Sequence, residues 1–255
     1  MKSVVLLAAN TAWYLLNYRK NFILSLLNMG CSVSAAVPYD NDAEALEQLG
    51  VELCVVGCSQ YGMTELELKE LVGEYVNVIK RVDPCVFFTF TLKANIFGSI
   101  AANIQNVPVI NTVPGLGLAF LDNGNMKERA IEFYRNSLRW SRKIFFQNNS
   151  DMIFFIENGI SSEEICEVVP GSGVDLDAFP YVPVGESLLT GCFKFLYFAR
   201  LLRPKGILEY VEAASLLRTS GYKVDCIVAG TFDGDALYAI SDMEFQRKIF
   251  ENDDI

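Results

Sequence analysis

The sequence predicts an α/β fold built on parallel sheets, arranged as two successive units. Three observations predict it. Short β-rich apolar runs alternate with amphipathic helical stretches along the 255 residues. The strand segments are continuous apolar runs, as expected of strands covered on both faces. The alternation breaks once, over residues 175–190 (DLDAFPYVPVGESLLT), and then restarts.

In chain order, the first strand falls at 4–9. A helix follows at 13–29, where Tyr18, Phe22, Leu26 and Met29 recur every three or four residues and Gly30 ends the run. The one-lysine apolar N-terminus could pass for a secretion signal, but the long helix directly after it favours a buried first strand. A strand at 32–37 stops at Pro38, a short acidic helix covers 42–49, and a strand covers 51–56. Next come a helix at 64–82, a strand at 86–89, a helix at 93–104 and a strand at 107–111. A Gly-rich loop at 112–124 leads to a basic helix at 126–141. A strand at 144–147, a short helix at 151–157 and a strand at 168–169 complete the first unit. Two prolines and a glycine mark 176–190 as a linker. Beyond it lie a strand at 193–198, a helix at 204–219 with Pro204 in its first turn, a strand at 224–229 and a helix at 241–250. The predicted domains are therefore 1–175 and 191–255, the second unfinished because two strands alone do not make a covered sheet.

Composition narrows the function. Hydrophobic residues make up 51% of the chain, enough for a large core, and 20% are charged, which is no mark of disorder. A net charge of −10 argues against a nucleic-acid partner, since phosphates would be repelled. The absence of histidine removes His-based triads, His–metal sites and histidine bases. Seven cysteines, an odd number without a CxxC, read as reduced, buried thiols in a cytosolic protein; Cys54 and Cys58 lack the second pair that a metal site needs. No apolar run is long enough to span a bilayer.

The segment FLYFARLLRPKGILEYVEAASLLR, from Phe195, carries the most specific signal. A strand ends at Arg200, a turn follows, and Lys205-Gly206 opens a helix. Free N–H groups at a helix start, with two added cations, suit a diphosphate; a surface turn with two solvated bases is the plain alternative. Pro114-Gly115-Leu116-Gly117 follows a strand, where open α/β sheets bind ligands, and is equally readable as a tight turn. Asn10 and Thr11 follow the first strand, as ligand groups or as a helix cap. Arg19 and Lys93 lie near strand–helix junctions; each alone reads as a solvated charge, and with those loops they could line a cleft that accepts a diphosphate. Six bases and two acids crowd 127–143, and Arg135, Arg139 and Arg142 fall on one helical face, for an anionic membrane or simply for solvent. Asp175-Leu176-Asp177 and Asp233-Gly234-Asp235 match a metal–nucleotide pattern but read better as turn and cap residues, so no metal is expected.

In order and spacing these pieces resemble the family 4 glycosyltransferases of the GT-B fold. The segment from Phe195 resembles the strand–R–x4–K–G–helix signature that opens their C-terminal domain. VVPGSGVDLDAF from Val168 resembles their interdomain segment, and FFQNNSDMIFF from Phe145 the end of their N-terminal domain. TLKANIFGSIAA from Thr91 and INTVPGLGLAF from Ile110 resemble the subgroup that builds cell-surface polysaccharides on undecaprenyl-diphosphate carriers. The resemblance implies a GT-B-like chain: a complete N-terminal Rossmann-like acceptor-side domain plus the first part of a Rossmann-like donor domain.

It further implies transfer, with retention and without metal or cofactor, from a nucleotide-sugar, a UDP-sugar, to a lipid-linked acceptor at the inner face of the cytoplasmic membrane. Arg200, Lys205 and Gly206 would hold the donor diphosphate. Asn10, Thr11, Arg19, Lys93, Asn95, Gly115 and Gly117 would lie on the acceptor side. No catalytic residue is assigned. Two departures stand out: Ala94 replaces a usual proline, and the family continues past this chain with a glutamate pair that binds donor ribose and sugar. The expectation is that the 255 residues alone do not turn over. The alternatives are an inactive remnant that only binds acceptor or membrane, and a nucleotide-sugar epimerase of the same architecture, which the lack of histidine disfavours.

Overall fold

The computed structural model describes residues 2–58, 64–117, 120–121, 125–183, 192–234 and 238–253. The chain divides into two units, Met1–Ala178 and Phe179–Ile255, each built on a parallel sheet. The division falls inside the stretch read as a linker, of which 184–191 lies outside the described residues.

Seven parallel strands form the first sheet: β1 (Val4–Ala8), β2 (Ser32–Val37), β3 (Glu52–Val55), β4 (Val86–Phe90), β5 (Val109–Val113), β6 (Lys143–Phe146) and β7 (Cys166–Val168). Their order is β3-β2-β1-β4-β5-β6-β7. Successive side chains on a strand point to opposite faces, and β1 shows both sides filled. Val5 and Leu7 pack with α1 (Ala12–Tyr18), α2 (Lys20–Asn28) and α3 (Ala43–Gln48). Leu6 and Ala8 pack with α4 (Glu65–Val82), α5 (Ser99–Gln105), α6 (Asn125–Leu138) and α7 (Asn149–Glu157). Each fully buried leucine of this kind contributes roughly 1.5–3 kcal/mol. Strand order reverses between β1 and β4, so the carboxyl ends of β1, β4 and β5 border the crevice where open α/β sheets bind ligands.

The second unit has β8 (Phe193–Phe198) paired in parallel with β9 (Val224–Ala229), plus α8 (Ile207–Thr219) and α9 (Asp242–Asp253). Its buried apolar cluster is Tyr197, Leu201, Ile207 and Ile240.

Several boundaries differ from the sequence reading. The helix expected at 13–29 is broken at Arg19, where φ −128° and ψ 6° separate α1 from α2. The helix expected from 93 begins as a π-helical turn, Ala94–Gly98. The basic helix ends at Leu138, because the buried Ser141 hydroxyl bonds to Asn111 and fixes the approach to β6. The helix expected from Pro204 begins at Ile207, after a 3₁₀ turn at Arg203–Lys205. None of the seven cysteines forms a disulfide; Cys54 and Cys58 are buried, but Cys85 and Cys192 are exposed, which corrects the reading of them as interior.

Candidate functional site

In the first unit, the β1 end leads through Asn10 to Thr11, whose side chain caps α1 by accepting from the Tyr14 N–H at 3.0 Å. The cap reading of Thr11 is therefore realised. At the β4 end stands a residue that sequence reasoning passed over. Thr91 has φ +72°, and its buried hydroxyl has no hydrogen-bond partner. A β-branched residue in the left-handed region is strained, and such strain collects at functional sites. Threonine directly after an apolar strand gives no hint of this in sequence.

Lys93, two residues on, is half-buried. Burial pulls its ammonium below the ordinary lysine range, against the opposing pull of Cys58 and Glu67. Burial likewise pushes the Cys58 thiol up to about 11, although Lys93 opposes it. Desolvation thus outweighs the mutual attraction for both groups, so Cys58 is protonated at neutral pH and no nucleophilic thiolate stands here. The Tyr75 hydroxyl is buried without a partner, and its pKa is raised well above normal by burial.

Asn95 is not a cleft residue. It is fully buried: its Oδ1 accepts from the Thr89 hydroxyl at 2.7 Å and its Nδ2 donates to the Thr112 carbonyl at 2.8 Å. The π-helical turn carries it inward over β4 and β5, so its role is to hold the two strand ends together. At the β5 end, Gly117 has φ +80°, while a side chain at Gly115 would meet open space. The loop is a turn with an accessible backbone, and residues 118–119 and 122–124 lie outside the described residues.

Arg19 lies at the joint between α1 and α2, only 8% exposed. It lines an aromatic-walled pocket with Phe90, at the end of β4, and Thr112, near the end of β5.

The basic residues at 135–142 do not form one helical face, since α6 stops at Leu138. Arg135 donates to the Asn158 carbonyl at 2.7 Å, and Arg139 stacks 4.1 Å from the Trp140 ring centre. Arg142 is exposed in the approach to β6.

In the second unit, Arg200, Lys205 and Gly206 occupy the connection from β8 to α8. Gly206 is the N-cap of α8 with φ +77°, a conformation glycine takes without strain. The N–H groups of the first helical turn open there. Lys205 is exposed. Arg200 bonds Asp233 at 2.9 Å in a partly exposed pair. That assigns Asp233 of the Asp233-Gly234-Asp235 pattern to the arginine; Asp235 lies outside the described residues. Asp175 takes the turn role read for it, accepting from the N–H groups of Asp177 and Ala178. A second glycine here was missed: a Cβ at Gly230 would lie 2.1 Å from the Ala199 carbonyl oxygen, so only glycine lets β9 end against the turn before Arg200. Among the described residues, no cluster of three or more His, Cys, Asp or Glu side chains is placed to hold a metal, and no helix is long and apolar enough to cross a membrane.

No protein-family model and no curated protein sequence matches the chain. Solved structures do. A glycosyltransferase from Rickettsia africae aligns over 98% of this chain and 64% of its own, with 15% identity and a TM-score of 0.66. The Anabaena protein HepE in complex with UDP-glucose aligns over 98% of this chain and 65% of its own, with 16% identity and a TM-score of 0.67. Sucrose-phosphate synthase from Thermosynechococcus elongatus aligns over 99% of this chain and 68% of its own, with 13% identity and a TM-score of 0.74. The fold is GT-B-like α/β. This chain spans about two thirds of the length of these proteins, and likeness at such identity is likeness of fold, which does not fix function.

Proposed function

We propose that this chain belongs to a retaining glycosyltransferase of the family 4 type. It would move a sugar from a nucleotide-sugar, a UDP-sugar, to a lipid-linked or polysaccharide acceptor in capsule or lipopolysaccharide synthesis. The observation that carries the reading is the turn between β8 and α8. There Arg200, Lys205 and the Gly206 cap gather two cations and a helix start on one short connection. Support comes from neighbours of the same fold, one of them bound to UDP-glucose.

The chemistry follows from charge. Loss of a nucleotide diphosphate leaves negative charge on the leaving group and cationic character on the sugar. Fixed donors aimed at that diphosphate lower the barrier because they act where charge develops. Arg200 starts paired with Asp233 at the surface. Such partly exposed pairs are worth only about 0.2–1 kcal/mol, so a diphosphate displaces the carboxylate readily. In this reading no metal or cofactor takes part, and no protein base is required.

The acceptor belongs on the first unit, along the carboxyl ends of β1, β4 and β5. Asn10, Lys93, Gly115 and the strained Thr91 stand there. The basic stretch at 127–143 supplies the contact with the inner face of the cytoplasmic membrane.

The test is turnover with UDP-sugars in the protein carrying any residues that follow 255. Arg200→Ala and Lys205→Ala should each lower turnover by about a hundredfold. Unchanged turnover in both variants would remove the diphosphate role and, with it, the main support for the reading.

A further inference from the structure

A cavity of about 210 Å³ opens on the α1–α2 face of the first sheet. Phe22 of α2, Phe88 and Phe90 of β4 and Phe145 of β6 wall it, and Ser172 stands at its rim. The aromatic packing is close: Phe22 meets Phe88 edge-on at 5.1 Å and Phe90 at 6.4 Å between ring centres.

The one charged side chain lining this cavity is Arg19, more than nine-tenths buried. One terminal nitrogen donates to the Tyr18 carbonyl at 3.0 Å and the other to the Tyr14 hydroxyl at 3.1 Å. The guanidinium carbon sits 4.7 Å from the Phe90 ring centre and 5.6 Å from that of Tyr14. The Nε is buried with no acceptor. Among the described residues no carboxylate pairs with it. A buried cation without a counter-charge is costly, and neutral oxygens and ring faces offset only part of the cost. An anion laid against this guanidinium would offset the remainder.

Volume limits what that anion is. Pockets for whole drug-sized ligands run to roughly 300–1,000 Å³. This one is smaller, so it encloses one charged group and about one ring's worth of apolar body.

We propose that this pocket binds a small organic anion, a phosphate or carboxylate carried on an apolar or ring-shaped body. The charge rests on Arg19 and the body lies between Phe22, Phe88 and Phe90. The inference does not depend on the transferase reading, because it requires neither donor nor turnover.

Calorimetric titration of the full chain with phenyl phosphate, inorganic phosphate and phenol separates the contributions. Phenyl phosphate should bind saturably. Inorganic phosphate, lacking the body, and phenol, lacking the charge, should each bind at least about tenfold more weakly. Arg19→Met keeps the aliphatic stem and should remove phenyl phosphate binding, with a melting temperature equal to or above wild type, because an uncompensated charge has gone. Phe145→Trp leaves Arg19 in place but narrows the cavity, and should weaken phenyl phosphate about tenfold. This second variant decides the matter if Arg19→Met fails to fold. Equal affinity for inorganic and phenyl phosphate would overturn the proposal. So would wild-type binding by Phe145→Trp, or binding that Arg200→Ala abolishes, since the anion would then sit in the second unit.

Discussion

The two units use the same strand–helix grammar but bury their polar groups differently. In the first, a connected polar network lies inside, although the Arg19 Nε and the Tyr75 and Thr91 hydroxyls are buried there without partners. Asn111, fully buried on β5, donates from Nδ2 to the Thr89 hydroxyl at 2.6 Å and the Ser99 hydroxyl at 2.8 Å, and accepts on Oδ1 from Ser141 at 2.6 Å. In the second, partly exposed ion pairs join Arg200 with Asp233 and Arg203 with Glu244. Its apolar groups are less covered too. Phe198 on β8 is 84% exposed and Leu196 61%. Interior networks fix one geometry, whereas surface pairs yield to a ligand. The first unit's network is therefore costly to disturb, and the pair at Arg200 in the second is cheap to break.

The largest test strikes the interior network. Asn111→Ala takes their Asn111 partner from the buried Ser99 and Ser141 hydroxyls and one of two partners from the Thr89 hydroxyl, which keeps Asn95. At ~1–3 kcal/mol for each unsatisfied buried group, with partial relaxation, the expected loss is about 3–5 kcal/mol in denaturant unfolding. The matched change in the second unit, Asp233→Asn, should cost under about 1 kcal/mol. Equal losses would erase the contrast.

Hydrogen exchange sharpens the comparison next. Amides of β1 and β4, covered on both faces, should open only with the whole first unit. Those of β8 and β9 should exchange faster by about two orders of magnitude, roughly 3 kcal/mol. Equal protection in both sheets would show that the second unit is as firmly closed as the first.

Most of this architecture was legible in the sequence, and what was not has a common cause. VVLLA and VFFTF announce buried parallel strands because each is apolar on both faces. The capping box of α4, with Thr64 accepting from the Glu67 N–H, is written in residues three positions apart. By contrast, Arg200 meets Asp233 from 33 positions away, and Asn95 turns inward because Thr89 and the Thr112 carbonyl await it across two strands. The break at Arg19 is likewise tertiary: its guanidinium packs on Phe90 of β4, far along the chain. The arginine face at 135–142 fails because helical periodicity read to Ser141 runs three residues past Leu138, where α6 ends as the buried Ser141 bonds to Asn111. Local pattern finds elements; it does not find partners.

Thr91 tests whether strain in the first unit is kept for function. Thr91→Gly relieves roughly 1–3 kcal/mol of left-handed strain and gives back about 0.5–1 kcal/mol through a freer unfolded chain. The net expectation is a gain of about 1 kcal/mol in denaturant unfolding, paired with weaker acceptor-side function. A loss of stability would mean that packing of the Thr91 side chain outweighs its backbone strain.

The smallest effect lies on the surface, where the first unit behaves as the second does. A cation near an anionic membrane contributes about 1 kcal/mol. The three arginines are not equivalent, however. Arg135 is tied to the Asn158 carbonyl and Arg139 to the face of Trp140, whereas Arg142 is exposed on the short approach to β6. Moving a tied guanidinium to a lipid phosphate gives up an existing contact, so its net contribution falls below the full value. In co-sedimentation with anionic vesicles at low salt, Arg142→Gln should therefore weaken binding by about 1 kcal/mol, and Arg135→Gln and Arg139→Gln by less. A wild-type chain that stays in solution makes the basic stretch a solvated surface. An equal loss at all three positions would instead show that the membrane senses summed charge alone, and that the ties to Asn158 and Trp140 cost nothing to break.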